Sequence, residues 1–216
     1  MTSKEILGVI MLFYNLICNI WQFFASINDK IFRYGCDFSK WEVPKELGSN
    51  FEKGNKYQPS TDKLRKVLKK FNITNNDSII DIGCGKGKAM FLMSKYKFKK
   101  IYGIDLSQEL VDIANRNFSI LKINQCKAIK NDATTFKNYD EFNYFYIFNS
   151  FPEKIFIKVI ENIQESIKRK PRKCIFIYLN PVCSDYLEKN TNFKEIYKFK
   201  SIISWLEYRC YEYSIK

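Results

Sequence analysis

From residue 61 onward the chain alternates between short, continuous apolar runs and longer stretches whose apolar residues recur every three or four positions. Ser78-Ile79-Ile80-Asp81-Ile82 reads as a buried strand. Lys100-Ile101-Tyr102-Gly103-Ile104, Lys127-Ala128-Ile129-Lys130, Phe142 to Phe148, and Cys174 to Leu179 read as four more strands. Between them the period changes. Thr61 or Asp62 caps a helix whose Leu64, Val67, Leu68 and Phe71 share a face. Further helices run from about Lys88 to Tyr96, from Gln108 to Asn117, and from Pro152 to about Lys168, proline being well tolerated at a helix start. Phe193 to Phe199 and Trp205 to Tyr213 close the chain as an antiparallel pair. Strands alternating with helices predict an α/β fold, a doubly wound, mostly parallel sheet of seven strands with an N-terminal helix.

The first sixty residues follow another pattern. Residues 6–27 carry no charge and are long enough to span a bilayer as a helix. Asn15, Asn19, Gln22 and Ser26 fall at i, i+4, i+7 and i+11, one polar stripe on an otherwise apolar helix. Three readings stay open: a transmembrane anchor, a helix in the membrane interface, or a helix packed on the domain surface. Lys30 and Arg33 follow it, so a spanning helix leaves the remainder in the cytoplasm, attached to that face of the membrane. Residues 31–60 are irregular, punctuated by Gly35, Pro44, Gly48, Gly54 and Pro59. The expected organisation is therefore an apolar helix over 1–30, a lid or linker over 31–60, and a ligand-binding domain over 61–216.

Composition narrows the chemistry. A chain of 216 residues, 46% hydrophobic and 27% charged, suits one globular domain or a domain plus an appendage. The net charge of +13 favours phosphates, anionic lipid or acidic substrates. Its densest run, Lys168-Arg169-Lys170-Pro171-Arg172-Lys173, reads as a solvated helix end and turn, with contact to an anionic surface as the functional alternative. Seven scattered cysteines without a Cys-x-x-Cys pair argue against a disulfide framework or a zinc site, and no metal is expected. Histidine is absent, which removes the commonest general base and every Ser-His or Cys-His nucleophile pair.

The chemistry-bearing pattern begins at Asp81-Ile82-Gly83-Cys84-Gly85-Lys86-Gly87, a glycine loop between a strand and a helix. Such a loop lets the backbone turn tightly and approach a ligand at a helix N-terminus. Lys88 stands where a dinucleotide loop has its third glycine, and no Gly-Lys-Ser or Gly-Lys-Thr of a Walker loop occurs. Asp105 ends the second strand eighteen residues after Gly87, where an acidic side chain reaches ribose hydroxyls in doubly wound sheets. Asp81 adds a carboxylate suited to a ligand ammonium, which nicotinamide cofactors lack. Asp132, after the third strand, is placed to accept from an adenine amino group. Each aspartate alone is also explained as a loop cap.

Ser78 to Asn117 resembles the first two motifs of class I S-adenosylmethionine (SAM)-dependent methyltransferases, and Asn131-Asp132-Ala133 resembles the third. The likeness extends over about residues 32–181. It is similar to a group of small bacterial methyltransferases with Tyr-x-Pro-Ser/Thr before the domain and Asn-Pro-Phe after the fourth strand. Here those positions hold Tyr57-Gln58-Pro59-Ser60 and Asn149-Ser150-Phe151, with Ser150 in place of the proline. More distantly the group resembles lysine methyltransferases that lack a SET domain. The resemblance implies SAM as cofactor, with Tyr57, Asp81, Gly83, Cys84, Gly85, Gly87, Asp105, Leu106, Asp132 and Ala133 at the donor site and Tyr57 as a lid residue.

Asn149, at the carboxyl end of the fourth strand, is the candidate for positioning an acceptor amine, with Phe151 packing against a flat or aliphatic acceptor. The bland alternative is a strand-to-helix turn before Pro152. Methyl transfer is an in-line displacement that needs little proton transfer, which suits a chain without histidine. Three readings follow: methylation of a nucleophile, favouring nitrogen, on a protein or small molecule; methylation of nucleic acid; or an inactive, membrane-tethered module that keeps the fold.

Overall fold

The structure is a computed structural model that describes residues 16, 17, 20, 23, 24, 27–29, 35–45, 52–201 and 206–213. Seven strands form one sheet: β1 (Ser78–Ile82), β2 (Lys100–Asp105), β3 (Cys126–Lys130), β4 (Tyr144–Phe148), β5 (Ile175–Leu179), β6 (Phe193–Lys200) and β7 (Glu207–Tyr213). Their spatial order is β3-β2-β1-β4-β5-β7-β6. The first five are parallel, and β7 inserts antiparallel between β5 and β6. The helices are α1 (Leu64–Leu68), α2 (Lys88–Met93), α3 (Gln108–Ile120), α4 (Glu153–Arg169) and α5 (Ser184–Asn190), with a 3-10 turn at Asn138–Glu141.

The continuous apolar runs have a simple cause: the central strands are covered on both faces. β1 and β5 are buried at every position. Alternate side chains enter two separate cores. Ile79, Tyr144, Tyr146, Ile175 and Ile177 join Leu64, Met90, Val111 and Phe118 beneath α1, α2 and α3. Ile80, Ile82, Phe145, Phe176 and Tyr178 join Phe156, Val159, Ile160 and Ile163 of α4 on the opposite face. α4 buries Phe156, Val159, Ile160, Ile163 and Ile167, the 3.6-residue stripe that its sequence carries.

The order of the sheet reverses beside β1, which pairs with β2 on one side and β4 on the other. A crevice opens outside the carboxyl ends of strands at such a switch point. The glycine loop, the end of β2 and the turn after β4 all meet there.

Several boundaries move from the sequence expectation. Phe142 closes the 3-10 turn and does not enter β4, because its backbone N–H is bonded to the Tyr139 carbonyl. Pro152 is the extended N-cap of α4, one residue outside it. α1 is shorter than expected and α2 ends at Met93. α5 has no counterpart in the reading of the pattern. It spans seven residues and buries only Ser184 and Leu187, too little apolar surface to show a period. The expected start of the last strand at Trp205 lies outside the described residues.

Most of the apolar segment 6–27 also lies outside them. Of those described there, Leu16, Ile17, Ile20, Phe23 and Phe24 are helical and exposed. Among the described residues no helix is long and apolar enough to cross a membrane.

The basic run after α4 divides into two roles. Lys168, Arg169 and Lys173 make surface ion pairs with Glu165, Asp140 and Glu212. Arg172 instead turns inward. It donates to the carbonyls of Phe142 at 2.7 Å, Tyr139 at 2.8 Å and Lys170 at 2.9 Å, and to Ser166 Oγ at 2.9 Å. It thereby ties the end of α4 to the approach to β4, a packing task for one member of a charge run. Hydrogen bonds involving a charged group contribute about 1.5–3 kcal/mol. Arg172→Ala is expected to lower unfolding stability by about 2 kcal/mol, measured by urea titration, whereas Lys168→Ala leaves the midpoint nearly unchanged.

Candidate active site

The loop from Gly83 to Gly87 is fixed to β2 before any ligand is considered. The N–H groups of Gly83 and Cys84 both donate to the Ile104 carbonyl, at 2.9 and 3.0 Å. Gly85 N–H donates to Asp105 Oδ2 at 2.8 Å, and Gly87 N–H to the Cys84 carbonyl at 2.9 Å. A pyrophosphate loop presents such donors to its ligand. Here four of them are consumed inside the protein, so the loop is a support and not an anion cradle.

The glycines are required for two reasons. Gly83, Gly85 and Gly87 have φ values of 83°, 51° and 80°, in the left-handed region that side chains disfavour. Their missing Cβ positions are also taken by other residues. A Cβ on Gly83 would overlap Ser150, one on Gly85 would overlap the Tyr57 ring, and one on Gly87 would overlap Phe118. Of the three expected donor-site glycines, only Gly83 lines the crevice.

That crevice is a cavity of about 790 Å³. Tyr57, Gly83, Asp105, Leu106, Asp132 and Ala133, all expected donor-site residues, line it together with Ile104 and Leu110. Asn149, Ser150, Phe151, Phe148 and Asn180 line the part below β4 and β5. The sequence-derived residues Asp81, Cys84, Gly85 and Gly87 are not among those that line it. Asp105 is held by two backbone donors, Gly85 N–H on Oδ2 and Ser107 N–H at 3.0 Å on Oδ1. Asp132 is a cavity residue and a loop cap at once: its Oδ1 accepts from the Thr134 N–H at 2.8 Å and hydroxyl at 2.7 Å.

Electrostatics sets the hidden residues apart. Burial, with the neighbouring Asp105 charge second, pushes the Asp81 carboxyl well above the ordinary 3.8. Burial likewise raises the Cys84 thiol, so it remains protonated and inert as a nucleophile. Tyr57 is raised by burial and by Asp37, which keeps its hydroxyl protonated and donating to the Phe38 carbonyl at 2.6 Å.

The residues preceding the domain supply the rest of the wall. Pro44, Lys53, Gly54, Asn55, Lys56 and Gln58 border the cavity beside Tyr57. The expected lid or linker over 31–60 includes these residues, but the sequence singled out by motif only Tyr57-Gln58-Pro59-Ser60 among them. No motif marks Asn55, whose N–H and side-chain amide donate to the carbonyls of Ser150 at 2.9 Å and Asn149 at 2.6 Å. Ser150 has a definite task in place of the expected proline, donating to the Ile82 carbonyl at 3.0 Å. Among the described residues no cluster of three or more potential ligands could hold a metal ion.

Among the described residues Asn149 is the one with a buried side-chain oxygen or nitrogen that has no hydrogen-bond partner. Its backbone is left-handed, φ 38°, and the atom is Oδ1. A buried acceptor without a hydrogen bond is costly, which sets this atom apart from the other polar groups of the wall.

The family profile for a methyltransferase domain matches residues 73–203. The chain belongs to this family. It is similar to a probable S-adenosylmethionine-dependent methyltransferase of Saccharomyces cerevisiae, with 40% identity over 73 residues, covering 32% of this chain and 25% of that protein. It is also similar to a probable cobalt-precorrin-6B C(15)-methyltransferase (decarboxylating) of Methanococcus maripaludis, with 26% identity over 133 residues, covering 62% and 65%. The chain thus spans between a quarter and about two thirds of the length of these curated relatives. In fold it resembles a putative methyltransferase of Streptococcus mutans in complex with SAH, at TM-score 0.55 and 13% identity, covering 69% and 94% of the two chains.

The cofactor of this methyltransferase family is SAM, and the cavity fits it. An oriented carboxylate, Asp105, suits ribose hydroxyls. Ile104, Leu106, Leu110 and Ala133 give a flat base an apolar bed, and the volume lies in the range of small-molecule sites. SAM is a cation at sulfur and nitrogen, and Asp81 behind Gly83 is a buried carboxyl near the loop.

Asp81 also carries a stability cost whose sign is fixed. A carboxyl raised above its unfolded value is protonated in both states at low pH and contributes nothing there. As pH rises through 3.8 the unfolded chain releases the proton first, so stability falls with rising pH up to the folded value. Ligand-free Asp81→Asn should melt above the wild type at neutral pH, with the gap closing as the pH is lowered toward 3.8. Thermal scans across that range check it; a variant that melts lower at neutral pH contradicts the account.

Proposed function

We propose that this methyltransferase moves the methyl group of SAM to a nitrogen that bears an N–H, on a small molecule or a protein side chain. The observation that carries this reading is that Asn149, a residue of the cavity wall, has a buried Oδ1 with no hydrogen-bond partner among the described residues. A carbonyl oxygen accepts and never donates. An acceptor amine that gives its N–H to Oδ1 has its lone pair directed elsewhere, and the cavity would aim it at the donor. The C(15) relative has a carbon acceptor by its name, so acceptor chemistry is not inherited from it; the orphan amide oxygen is the reason to favour nitrogen here.

SAM supplies an electrophilic methyl on a sulfonium whose leaving group departs neutral. The chain's own residues then need only bind, orient and exclude water. Asp105 would hold the ribose, with Leu106 and Ala133 beside the base and Asp132 near its edge. Tyr57 closes the space over Gly85. Phe148 and Phe151 give the acceptor an apolar wall next to Asn149. With no histidine in the chain, the proton lost by the nitrogen would go to a carboxylate, a tyrosine, a lysine or a bound water.

A second reading, methylation of a nucleic acid, has one observation in its favour: Lys53 and Lys56 border the same cavity in a chain of net charge +13. Phosphate binding falls steeply with salt. Labelled SAM incubated with a lysate fractionated into protein, nucleic acid, lipid and small molecules separates the readings. Label confined to nucleic acid overturns the first.

Two substitutions test the roles. Asp105→Ala is expected to weaken SAM binding by about tenfold or more, the scale of lost charge-assisted hydrogen bonds, as read by calorimetry. Asn149→Ala should leave SAM affinity intact while lowering turnover about a hundredfold, the scale of a misplaced acceptor. Full turnover in Asn149→Ala would remove it from the acceptor site.

A further inference from the structure

One residue of the glycine loop has a side chain that the donor site does not use. Lys86 is fully buried, with 0% of its side chain exposed. Lysine is almost never buried without a counter-charge, because desolvating the ammonium is expensive. Lys86 has two partners, Asp37 Oδ2 at 2.6 Å and Glu42 Oε1 at 2.8 Å. Both belong to the segment before the domain, forty-nine and forty-four residues away. Its ammonium also lies 5.6 Å from the centre of the Tyr57 ring.

The surrounding bonds converge on the same place. The buried Asn117 side chain of α3 donates to the carbonyls of Asp37 at 2.9 Å and Lys86 at 3.1 Å, and accepts from the Asp37 N–H at 2.9 Å. Tyr57 N–H bonds to the Glu42 carbonyl at 2.8 Å, joining the two described stretches of the segment, 35–45 and 52–60, in an antiparallel bridge. From Tyr57 the chain leads back to Asn55, which is bonded to the backbone of Asn149 and Ser150. One strap is therefore fastened at the glycine loop and at the turn below β4, and it walls the cavity between them.

We propose that Lys86 is a positioning residue: its paired charges latch the strap onto the glycine loop, seat Tyr57 over Gly85 and bring Asn55 to the acceptor turn, so that donor binding and formation of the acceptor wall depend on one buried ion cluster. This rests on the cavity being the SAM site. Lys86 touches neither reactant. It acts through Tyr57 and Asn55. The loop must keep glycine at 85 because the latch places an aromatic ring there, and a Cβ would push the ring off.

The test uses the full chain, S-adenosylhomocysteine as probe, and hydrogen exchange of residues 36–45 and 52–60 as a readout independent of activity. Two variants break the latch from opposite sides: Lys86→Met in the loop, and the double variant Asp37→Asn, Glu42→Gln in the strap. In the ligand-free protein both should speed exchange in the strap while β1 and β4 stay protected, which separates a latch from general loss of the fold. Both should weaken S-adenosylhomocysteine binding about tenfold or more, since misplacing binding groups by an ångström carries penalties of that order. If Lys86→Met does not fold, the double variant decides, because it leaves the loop sequence intact. Unchanged strap exchange in the double variant overturns the latch. Fast strap exchange with wild-type affinity overturns its role in positioning the donor site. A wild type that binds no S-adenosylhomocysteine defeats the donor reading instead, and the exchange experiment still reports on the latch.

Discussion

The Ile104 carbonyl fixes the position of the glycine loop. It takes the N–H groups of both Gly83 and Cys84, and so hangs the turn after β1 on the last part of β2. The attachment requires a gap in β2, and Gly103 provides it: a Cβ there would run into Cys84 and the Met90 sulfur. With the loop in that position, Asp105 at the end of β2 reaches the Gly85 N–H, and its carboxylate is aimed before a ligand arrives. Ser150, bonded to the Ile82 carbonyl, brings the turn after β4 against Gly83 from the other side. The parts of the cavity at Asp105 and at Asn149 thus inherit their spacing from the parallel register of β2, β1 and β4.

Two of the buried ionisable groups close to this loop, Lys86 and Asp81, are managed in opposite ways. Lys86 is neutralised by two carboxylates of the strap, so its burial draws distant chain onto the site. Asp81 has the charge of Asp105 nearby and a raised pKa, a cost carried in the ligand-free protein. The strap residues that pair with Lys86 lie over the same loop, with the Tyr57 ring against Gly85.

Asn149 shows why a residue can be legible and still ambiguous. Its place at the end of β4 was readable from the order of strands, and so was the choice between a turn and an acceptor contact. The structure gives it both features. Its backbone is left-handed, as turns ask of asparagine, and its carbonyl serves Asn55. Its side-chain oxygen is left without a hydrogen-bond partner among the described residues, which no spacing along the chain could announce.

The order of apolar and polar residues encodes the layered α/β sheet, because two-sided burial writes continuous apolar strands and one-sided burial writes the stripe of α4. The sequence also encodes the class of ligand, through the loop spacing and the strand-end positions of Asp105 and Asp132, since local order along a strand–loop–helix unit is preserved on folding. It could not rank those residues. Gly85 and Gly87 share a motif with Gly83, yet they face Tyr57 and Phe118, and only Gly83 faces the cavity. Nor could it separate Lys86 from the thirty-five other basic residues of the chain. Its partners lie more than forty positions earlier, in a segment with no periodicity. A contact between an irregular strap and a loop leaves no pattern along the chain, and only the tertiary structure brings its charges together.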